Sequence, residues 1–223
     1  MPALFDLDNT LIDRLGAFER WAAEFAAERG LGPGAVEWLV AADADGSVPM
    51  ETFFGLVRDR FGLAEPAREL WRAYRARLPH LVTCRAEVLD GLDRLRAAGW
   101  AVGIVTNGMA DNQTGKIRHS GLATRVDGWA ISEAEGVRKP DVRLFEIGAA
   151  RCGASLRDGG WMVGDDLVSD IRGGRAAGLR TIWIDRNRPP ASTGRPGKPD
   201  HVVTDVVAAM KLLIEMRPGG AGR

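Results

Sequence analysis

The sequence predicts an α/β fold: a Rossmann-like parallel sheet with helices on both faces, and an all-helical segment inserted after the first strand. From about residue 80 onward, short apolar runs alternate with amphipathic helical patterns, as in a parallel sheet covered by helices. Before that alternation, residues 14–79 show helical periodicity and no convincing strand. The first strand therefore precedes the helical segment and belongs to a sheet whose other strands lie far along the chain.

The composition limits the class of protein. The 223 residues suffice for one large domain, or for one domain with an inserted subdomain. Lys plus Arg and Asp plus Glu both total 30, and the basic residues are scattered, so neither nucleic acid nor a membrane is expected as a partner. No apolar run reaches the roughly 18 to 20 residues of a membrane span and no basic leader opens the chain, which predicts a cytoplasmic protein. Cys84 and Cys152 lack CxxC spacing, which predicts free thiols.

Periodicity and Gly or Pro punctuation predict the order of the elements. The first helix of the inserted segment has apolar residues at helical spacing: Phe18, Trp21, Ala22, Phe25. Three more helices are predicted over 33–43, 49–61 and 66–77. The later helices are predicted over 85–98, 111–120, 143–151, 169–177 and 206–216, and the strands over 100–105, 129–131, 161–163, 180–184 and 201–203. A surface loop over 186–200 and a disordered tail over 218–223 complete the prediction.

Two carboxylates end the first apolar run, in the stretch Leu4-Phe5-Asp6-Leu7-Asp8-Asn9-Thr10-Leu11. Residues i and i+2 of a strand share one face, so Asp6 and Asp8 are carried together into the following loop. When such carboxylates are buried side by side, the pKa of at least one rises unless a cation offsets the charge. The pair predicts a catalytic strand end with a cationic partner elsewhere in the chain. A chance surface turn is the alternative for this motif taken alone.

Further polar groups follow the predicted strands or lie in adjoining loops: Thr106-Asn107-Gly108, Lys139-Pro140, and Gly164-Asp165-Asp166 with Asp170. Ligands of open parallel sheets bind beyond the carboxyl ends of the strands, so these groups are expected to converge. Carboxylates without Cys or His suit a hard cation, and Mg²⁺ is the expected one. A phosphate would be held by the metal, Lys139, the Thr106 hydroxyl and backbone N–H groups around Asn107 and Gly108. Taken singly, Thr106 could instead cap the next helix, and Asp170 could be a surface acid.

In this order, the motifs Asp6-Leu7-Asp8-Asn9-Thr10, Thr106-Asn107-Gly108, Lys139-Pro140 and Gly164-Asp165-Asp166-Leu167-Val168-Ser169-Asp170 resemble those of the haloacid dehalogenase-like (HAD) hydrolase superfamily. Four short motifs in order are far more specific than any one of them. The resemblance covers nearly the whole chain apart from the helical segment. It implies a core domain of residues 1–13 and 80–217, and a helical C1-type cap of residues 14–79.

The resemblance also implies an activity, that of a Mg²⁺-dependent phosphoric monoester phosphatase. Asp6 would be the nucleophile that forms an aspartyl-phosphate. Asp8 would be the general acid for the leaving alcohol and then the general base for the hydrolytic water. Mg²⁺ would be bound by the Asp6 carboxylate, the Asp8 main-chain carbonyl and Asp165.

The remaining motif residues receive roles from the same resemblance. Lys139 would neutralise the nucleophile and the phosphate together, which allows crowded anions to coexist. Asp170 would position Lys139, while Asp166 would reach the metal directly or through water. Thr10 would be a supporting residue of the first motif.

Asp8 favours a phosphatase, because the dehalogenases of the superfamily lack this second aspartate and need no metal. Gln113, Lys116 and Ile131-Ser132-Glu133 look similar to residues of small-metabolite phosphatases of the nucleotidase and sugar-phosphate type. The expected partner is therefore a small phosphorylated substrate, acted on by a monomer or homodimer. The alternatives are a dehalogenase, a phosphomutase, a catalytically retired member that acts by protein interaction, and a receiver-type signalling domain, whose phosphoacceptor follows a later strand.

Two further sets of residues are expected to be structural. Four aromatic residues of the helical segment are predicted to be core residues: Trp21, Trp38, Trp71, Tyr74. The alternative is that one of the four stacks on a base or sugar. The histidines stand away from the motifs and are predicted to be non-catalytic: His80, His119, His201.

Overall fold

A computed structural model describes residues 1–187 and 194–216 of the chain. Its centre is one six-stranded sheet in which all neighbouring strands pair in parallel, with the order β3-β2-β1-β4-β5-β6. The strands are β1 (Pro2–Phe5), β2 (Ala101–Thr106), β3 (Gly128–Ile131), β4 (Trp161–Gly164), β5 (Arg180–Ile184) and β6 (His201–Val203). The predicted parallel sheet is confirmed.

The strand order creates a topological switch point at β1. The chain runs from β1 through β2 to the edge strand β3, then crosses back to pair β4 with the other side of β1. The connections on the two sides of β1 leave in opposite directions, which opens a crevice at the carboxyl ends of β1 and β4. The motifs that follow these two strands contain Asp6 and Asp165, so the sheet alone brings the two acids together.

Ten α-helices connect these strands or follow the last of them in the described part of the chain. They are α1 (Arg14–Glu28), α2 (Ala35–Asp43), α3 (Met50–Phe61), α4 (Ala67–Arg77), α5 (Ala86–Ala97), α6 (Ala110–His119), α7 (Ser132–Glu135), α8 (Val142–Arg151), α9 (Gly173–Ala176) and α10 (Val206–Met216). The first four occupy the segment predicted to be all helical. The predicted helix over 169–177 is wrong in type, because residues Leu167–Arg172 form a π-helical turn that leads into the short α9.

Alternating side chains of β1 enter two separate hydrophobic layers. Ala3 and Phe5 lie in the larger cluster together with α5 and α10, whereas Leu4 lies in the smaller cluster with α8. Every residue of β1 is buried, as expected for a central parallel strand covered by helices on both faces. The covering layers hold the end of β1 in place, which is where the first carboxylate stands.

The inserted helices pack around their own aromatic cluster. Five aromatic side chains, each no more than 5 % exposed, contact one another edge-on or tilted: Phe18, Trp21, Phe53, Phe54, Tyr74. The prediction of a core position is correct for Trp21 and Tyr74, while Trp38 and Trp71 are only partly buried. This cluster stabilises the segment above the carboxyl edge of the sheet.

Sequence-based predictions also cover the two cysteines, the 186–200 loop and the C-terminal tail. Cys84 and Cys152 are free, half-buried thiols, as predicted. Of the 186–200 loop, residues 188–193 lie outside the described residues, as does the whole 218–223 tail. Within the described residues, no helix has both the length and the apolar character required to cross a membrane.

Phe53→Ala is expected to lower the free energy of unfolding by about 3 to 5 kcal/mol, because it leaves a cavity in the aromatic cluster. Leu56→Ala on the same helix is the matched control, since Leu56 is 47 % exposed, and its effect should stay within about 0.5 kcal/mol. Urea denaturation followed by circular dichroism measures both. Equal losses for the two variants would contradict the packing described here.

Candidate active site

The carboxyl ends of β1, β2 and β4 and the helices above them enclose a cavity of about 560 Å³. Asp6 extends the pairing of β1 by one residue, since its backbone N–H donates to the Val163 carbonyl at 2.9 Å. Asp6 is 7 % exposed and Asp8 is half-buried, and both line the cavity. The two predicted carboxylates therefore stand together at the strand end, and a surface turn is excluded.

Lys139 is the cation that the acid pair requires. Its ammonium group donates to Asp6 Oδ1 and to Asp170 Oδ1, both at 2.6 Å, and the lysine is 4 % exposed. Burial opposes a charged lysine, but Asp170 and Asp6 outweigh that effect and raise the pKa of Lys139 above its usual value. Lys139 thus stays protonated and binds one oxygen of Asp6. None of the described hydrogen bonds involves Asp6 Oδ2, which leaves that oxygen available to the cavity.

Asp170 is held in place by local backbone as well as by Lys139. It is 1 % exposed, and its Oδ2 accepts the Asp166 N–H at 3.0 Å, so it is not the surface acid considered above. A Cβ on Gly164 would lie 2.2 Å from Asp170 Oδ2. Only glycine therefore permits this approach at the end of β4. Asp166 Oδ1 accepts the N–H groups of Val168 and Ser169 and caps the π-helical turn.

Three carboxylates provide a cation site of the predicted chemistry. Oxygens of Asp6, Asp165 and Asp170 lie within 4.8 Å of one another. Burial raises the pKa of Asp165 to about 7, and Asp170 adds to the rise, while Arg186 and Lys139 oppose it. Burial also raises the pKa of Asp6, against the opposing effect of Lys139. An all-oxygen site with this excess of negative charge fits a hard divalent cation such as Mg²⁺.

The Thr106-Asn107-Gly108 motif has a different internal arrangement from the predicted one. Thr106 is 1 % exposed and Met109 is the residue before α6, so the threonine does not cap that helix. The Asn107 amide exchanges hydrogen bonds with the backbone of Lys139, at 2.9 and 3.1 Å. The Gly108 N–H donates to Ser132 Oγ at 3.0 Å. Asn107 therefore positions the lysine, and the Gly108 N–H is already engaged instead of being directed at a phosphate.

Asp8 has its own set of partners, supplied by α6. Lys116 Nζ donates to Asp8 Oδ1 at 2.8 Å and to Oδ2 at 2.9 Å. Gln113 Nε2 donates to Asp8 Oδ2 at 2.9 Å and to Thr106 Oγ1 at 2.7 Å. Burial disfavours the Asp8 carboxylate, but Lys116 and Gln113 more than offset it and hold the pKa of Asp8 below its usual value. Burial lowers the pKa of Lys116 in turn, with Asp8 opposing.

The helical segment reaches the acidic edge through Asp45, in the connection after α2. Arg186 Nη1 donates to Asp45 Oδ2 at 2.7 Å and to Asp165 Oδ2 at 3.0 Å. Asn9 Nδ2 donates to Asp45 Oδ1 at 3.1 Å. Arg186 could have been suspected from its place just beyond β5, at the same edge of the sheet. No sequence signal indicates Asp45, because the orientation of the helical segment decides its position.

Thr10 and the three histidines are not among the described residues that line the cavity. Thr10 is buried and its hydroxyl has no hydrogen-bond partner among the described residues. The histidines do not line the cavity; His80 and His119 contact each other, with ring centroids 4.1 Å apart, and His201 lies against Trp161.

Comparison with known proteins agrees with this geometry. A family model described as haloacid dehalogenase-like hydrolase matches residues 3–184. A pyrimidine 5'-nucleotidase, PynA, from Streptococcus pneumoniae is 30% identical over 200 residues, which cover 81% of each chain. A phosphoserine phosphatase from Thermus thermophilus is 38% identical over 130 residues, which cover 58% of this chain and about half, 51%, of that protein.

A solved structure shows the same fold. The crystal structure of the HAD-hydrolase YfnB from Bacillus subtilis, bound to magnesium, aligns with a TM-score of 0.72 at 24% identity. The alignment covers 95% of this chain and 97% of that chain. The parallel sheet and the helical segment of this chain therefore both align with a single solved structure.

Asp165→Asn is expected to stabilise the metal-free protein at pH 8 by about 1 to 2 kcal/mol, because it removes a poorly compensated buried charge. The pKa of Asp165 is raised in the folded state, so the native protein loses stability as the pH rises from about 4 to about 7. The advantage of the variant should therefore shrink below pH 7. Thermal melts of both proteins between pH 4 and pH 8 measure this difference in stability.

Addition of Mg²⁺ is the complementary measurement. Mg²⁺ should raise the melting temperature of the native protein by mass action and leave that of Asp165→Asn nearly unchanged. The exposed Asp158→Asn should behave as the native protein does. Equal stabilisation of all three proteins by Mg²⁺ would argue against Asp165 as a ligand.

Proposed function

The chain belongs to the haloacid dehalogenase-like hydrolase family, and we propose that it is a Mg²⁺-dependent phosphatase acting on a small phosphorylated metabolite through an aspartyl-phosphate. One observation carries the proposal. At the switch point of the sheet, Lys139 binds one oxygen of Asp6 and none of the described hydrogen bonds involves the other, while Asp6 and Asp8, two residues apart, both line the cavity. A nucleophile and a separate acid-base group thus flank the position where a phosphate would sit.

In the first step, Asp6 Oδ2 attacks phosphorus and the bond from phosphorus to the leaving oxygen breaks. The lowered pKa of Asp8 keeps it a carboxylate before substrate binds, so it first takes the proton of the phosphate monoanion and then passes that proton to the leaving oxygen. An alcohol departs and Asp8 is a carboxylate again. The Thr106 hydroxyl accepts a hydrogen bond from Gln113, and none of the described hydrogen bonds uses its own hydrogen, which would be donated to a phosphate oxygen. Lys139 offsets negative charge that gathers around Asp6.

In the second step, water attacks the phosphorus of the aspartyl-phosphate, and Asp8 removes a proton from that water. The bond between phosphorus and Asp6 Oδ2 breaks, which releases inorganic phosphate and restores the Asp6 carboxylate, and Asp8 gives its proton to the departing phosphate and returns to a carboxylate. One pair of groups therefore serves both halves of the reaction, and no other co-substrate than water is needed.

The residues proposed to hold Mg²⁺ are the Asp6 carboxylate, the Asp8 main-chain carbonyl and Asp165. When bound, the ion would neutralise phosphate oxygens and the crowded carboxylates. Asp170 is less suited as a ligand, because both of its oxygens already accept hydrogen bonds from Lys139 and from the Asp166 N–H. The carboxylate excess described above supports this assignment, as does the magnesium in the YfnB crystal structure.

We propose residues 14–79 as the cap over the site, in the C1 position of the family. Cap residues line the cavity from above: Asp45, Val48, Met50, Trp71, Tyr74, Arg75. Arg75 also forms an ion pair with Asp111 of α6 at 2.9 Å, which joins the cap to the sheet domain beside the cavity. A cap in this place would exclude water and contact the leaving group.

The lining includes Trp71 and Met50 together with Arg75, whose charge is paired with Asp111. This mixture favours a leaving group that is partly apolar and uncharged or weakly charged. A nucleoside or a sugar has this character. The nucleotidase PynA and the phosphoserine phosphatase are consistent with small monoesters as a class.

Phosphate release from nucleoside monophosphates, sugar phosphates, phosphoglycolate and an aryl phosphate is the first test, each with Mg²⁺ and with a chelator. Chelator-sensitive release from at least one of them is expected, and the preferred member would identify the leaving group. Release that the chelator leaves unchanged would contradict the proposed metal dependence. If a folded protein releases no phosphate from any member, the interaction-protein alternative gains support.

Asp6→Asn is expected to reduce phosphate release by about 10⁴-fold or more, because an amide cannot form the aspartyl-phosphate. The variant should remain folded, since the amide retains the shape of the side chain and Lys139 keeps its ion pair with Asp170. Asp158→Asn, at an exposed position, is the control and should keep native activity. Retained turnover in Asp6→Asn would show that another group is the nucleophile.

A further inference from the structure

Two side chains of α6 are buried against Asp8 although neither belongs to the four motifs. Gln113 is 2 % exposed and Lys116 is 4 % exposed. They are three residues apart and therefore lie on the same face of the helix. Between them they donate three hydrogen bonds to the two oxygens of Asp8. A buried lysine is costly unless its charge is compensated, and among the described residues the only hydrogen bonds of Lys116 Nζ go to Asp8.

Gln113 also joins Asp8 to the phosphate side of the cavity. Its amide nitrogen donates to Thr106 Oγ1 at 2.7 Å and contacts the Asn107 carbonyl at 3.3 Å. Gly108 permits this arrangement, since a Cβ there would lie 2.8 Å from Gln113 Cγ. Because a single amide contacts both Asp8 and Thr106, the distance between the acid-base group and the phosphate-binding hydroxyl is set by α6.

We propose that Gln113 and Lys116 are positioning residues, which hold the Asp8 carboxylate in one orientation toward the leaving oxygen and couple it to Thr106. The inference rests on the proposed phosphatase function. It adds to that function two residues that act through Asp8 and do not touch the substrate phosphate themselves. Without Lys116, Gln113 is the one side-chain donor left to the Asp8 carboxylate among the described residues, and Asp8 can rotate about its side-chain bonds away from the leaving oxygen.

The predicted effect depends on the leaving group. An alkyl phosphate needs a proton from Asp8 for its alcohol to depart, whereas a nitrophenolate leaves without one. Lys116→Met should therefore lower kcat for the preferred alkyl phosphate by about 100-fold, within the range of general acid–base effects, and change KM by less than about threefold. With an aryl phosphate, the first turnover should stay within about fivefold of native. Later turnovers should slow, because Asp8 must still activate water.

Rapid-mixing measurements of nitrophenol release test this pattern. A burst equal to the enzyme concentration, followed by slow turnover, is the expected result for Lys116→Met. Arg118→Met removes an exposed cation from the same helix and should behave as the native protein does. Equal losses in the first turnover with alkyl and aryl phosphates, or a kcat within about threefold of native for both, would overturn the proposal.

A double-mutant comparison keeps the test valid if Lys116→Met alone is unstable. Asp8→Asn with Lys116→Met leaves a neutral buried pair, so the double variant should fold. If Lys116 acts through Asp8, its removal from Asp8→Asn should change the remaining activity by less than about twofold. A further loss of tenfold or more would overturn the proposal. Native protein without activity on any substrate would count against the proposed function itself, so the two failures are distinguishable.

Discussion

The ion pairs of Lys139 are the interaction on which the rest of the site depends. Asp6, Asp165 and Asp170 are gathered within 4.8 Å in a buried place, and Lys139 bridges two of them. Removal of one partner from a buried charge pair is strongly destabilising, by roughly 3 to 5 kcal/mol, so the lysine must be held firmly. Asn107 does this by exchanging two hydrogen bonds with its backbone. The residual negative charge favours binding of a cation, which would in turn offset the charge of a phosphate.

The two aspartates of the first motif illustrate how environment separates chemical roles. They are two residues apart, yet Asp6 has a raised pKa beside other carboxylates, whereas Asp8 has a lowered pKa beside Lys116 and Gln113. Titratable pairs whose environments differ in this way are typical of acid–base sites. Here the difference arises from two lysines that are far from the aspartates in sequence, since Lys116 lies on α6, 108 positions after Asp8, and Lys139 precedes α8, 133 positions after Asp6. The strand brings the acids together, and the surrounding helices differentiate them.

Most of the fold was predictable because its signals are local. The apolar runs of the strands, the helical periodicity of residues 14–77 and the Gly and Pro breaks depend on nearest neighbours, and the structure agrees with them to within a few residues. The π-helical turn over Leu167–Arg172 was not predictable in this way. In this turn Asp170 Oδ2 lies against Gly164 and accepts a hydrogen bond from the Asp166 N–H. The helical periodicity of the sequence gives no signal of these contacts.

By itself, the sequence determined the parallel sheet, the convergence of the four motifs at one edge, and the chemical character of the site. It did so because carboxyl ends of parallel strands always meet, and because acids, a lysine and a hydroxyl have fixed chemistry. Only the tertiary structure decided which donor meets which acceptor. It paired Lys116 with Asp8, turned the Asn107 amide toward the Lys139 backbone, and brought Asp45 to Arg186. These contacts depend on how helices and the inserted segment pack, since distances of 3 Å between residues 30 to 140 positions apart follow from packing and not from local sequence.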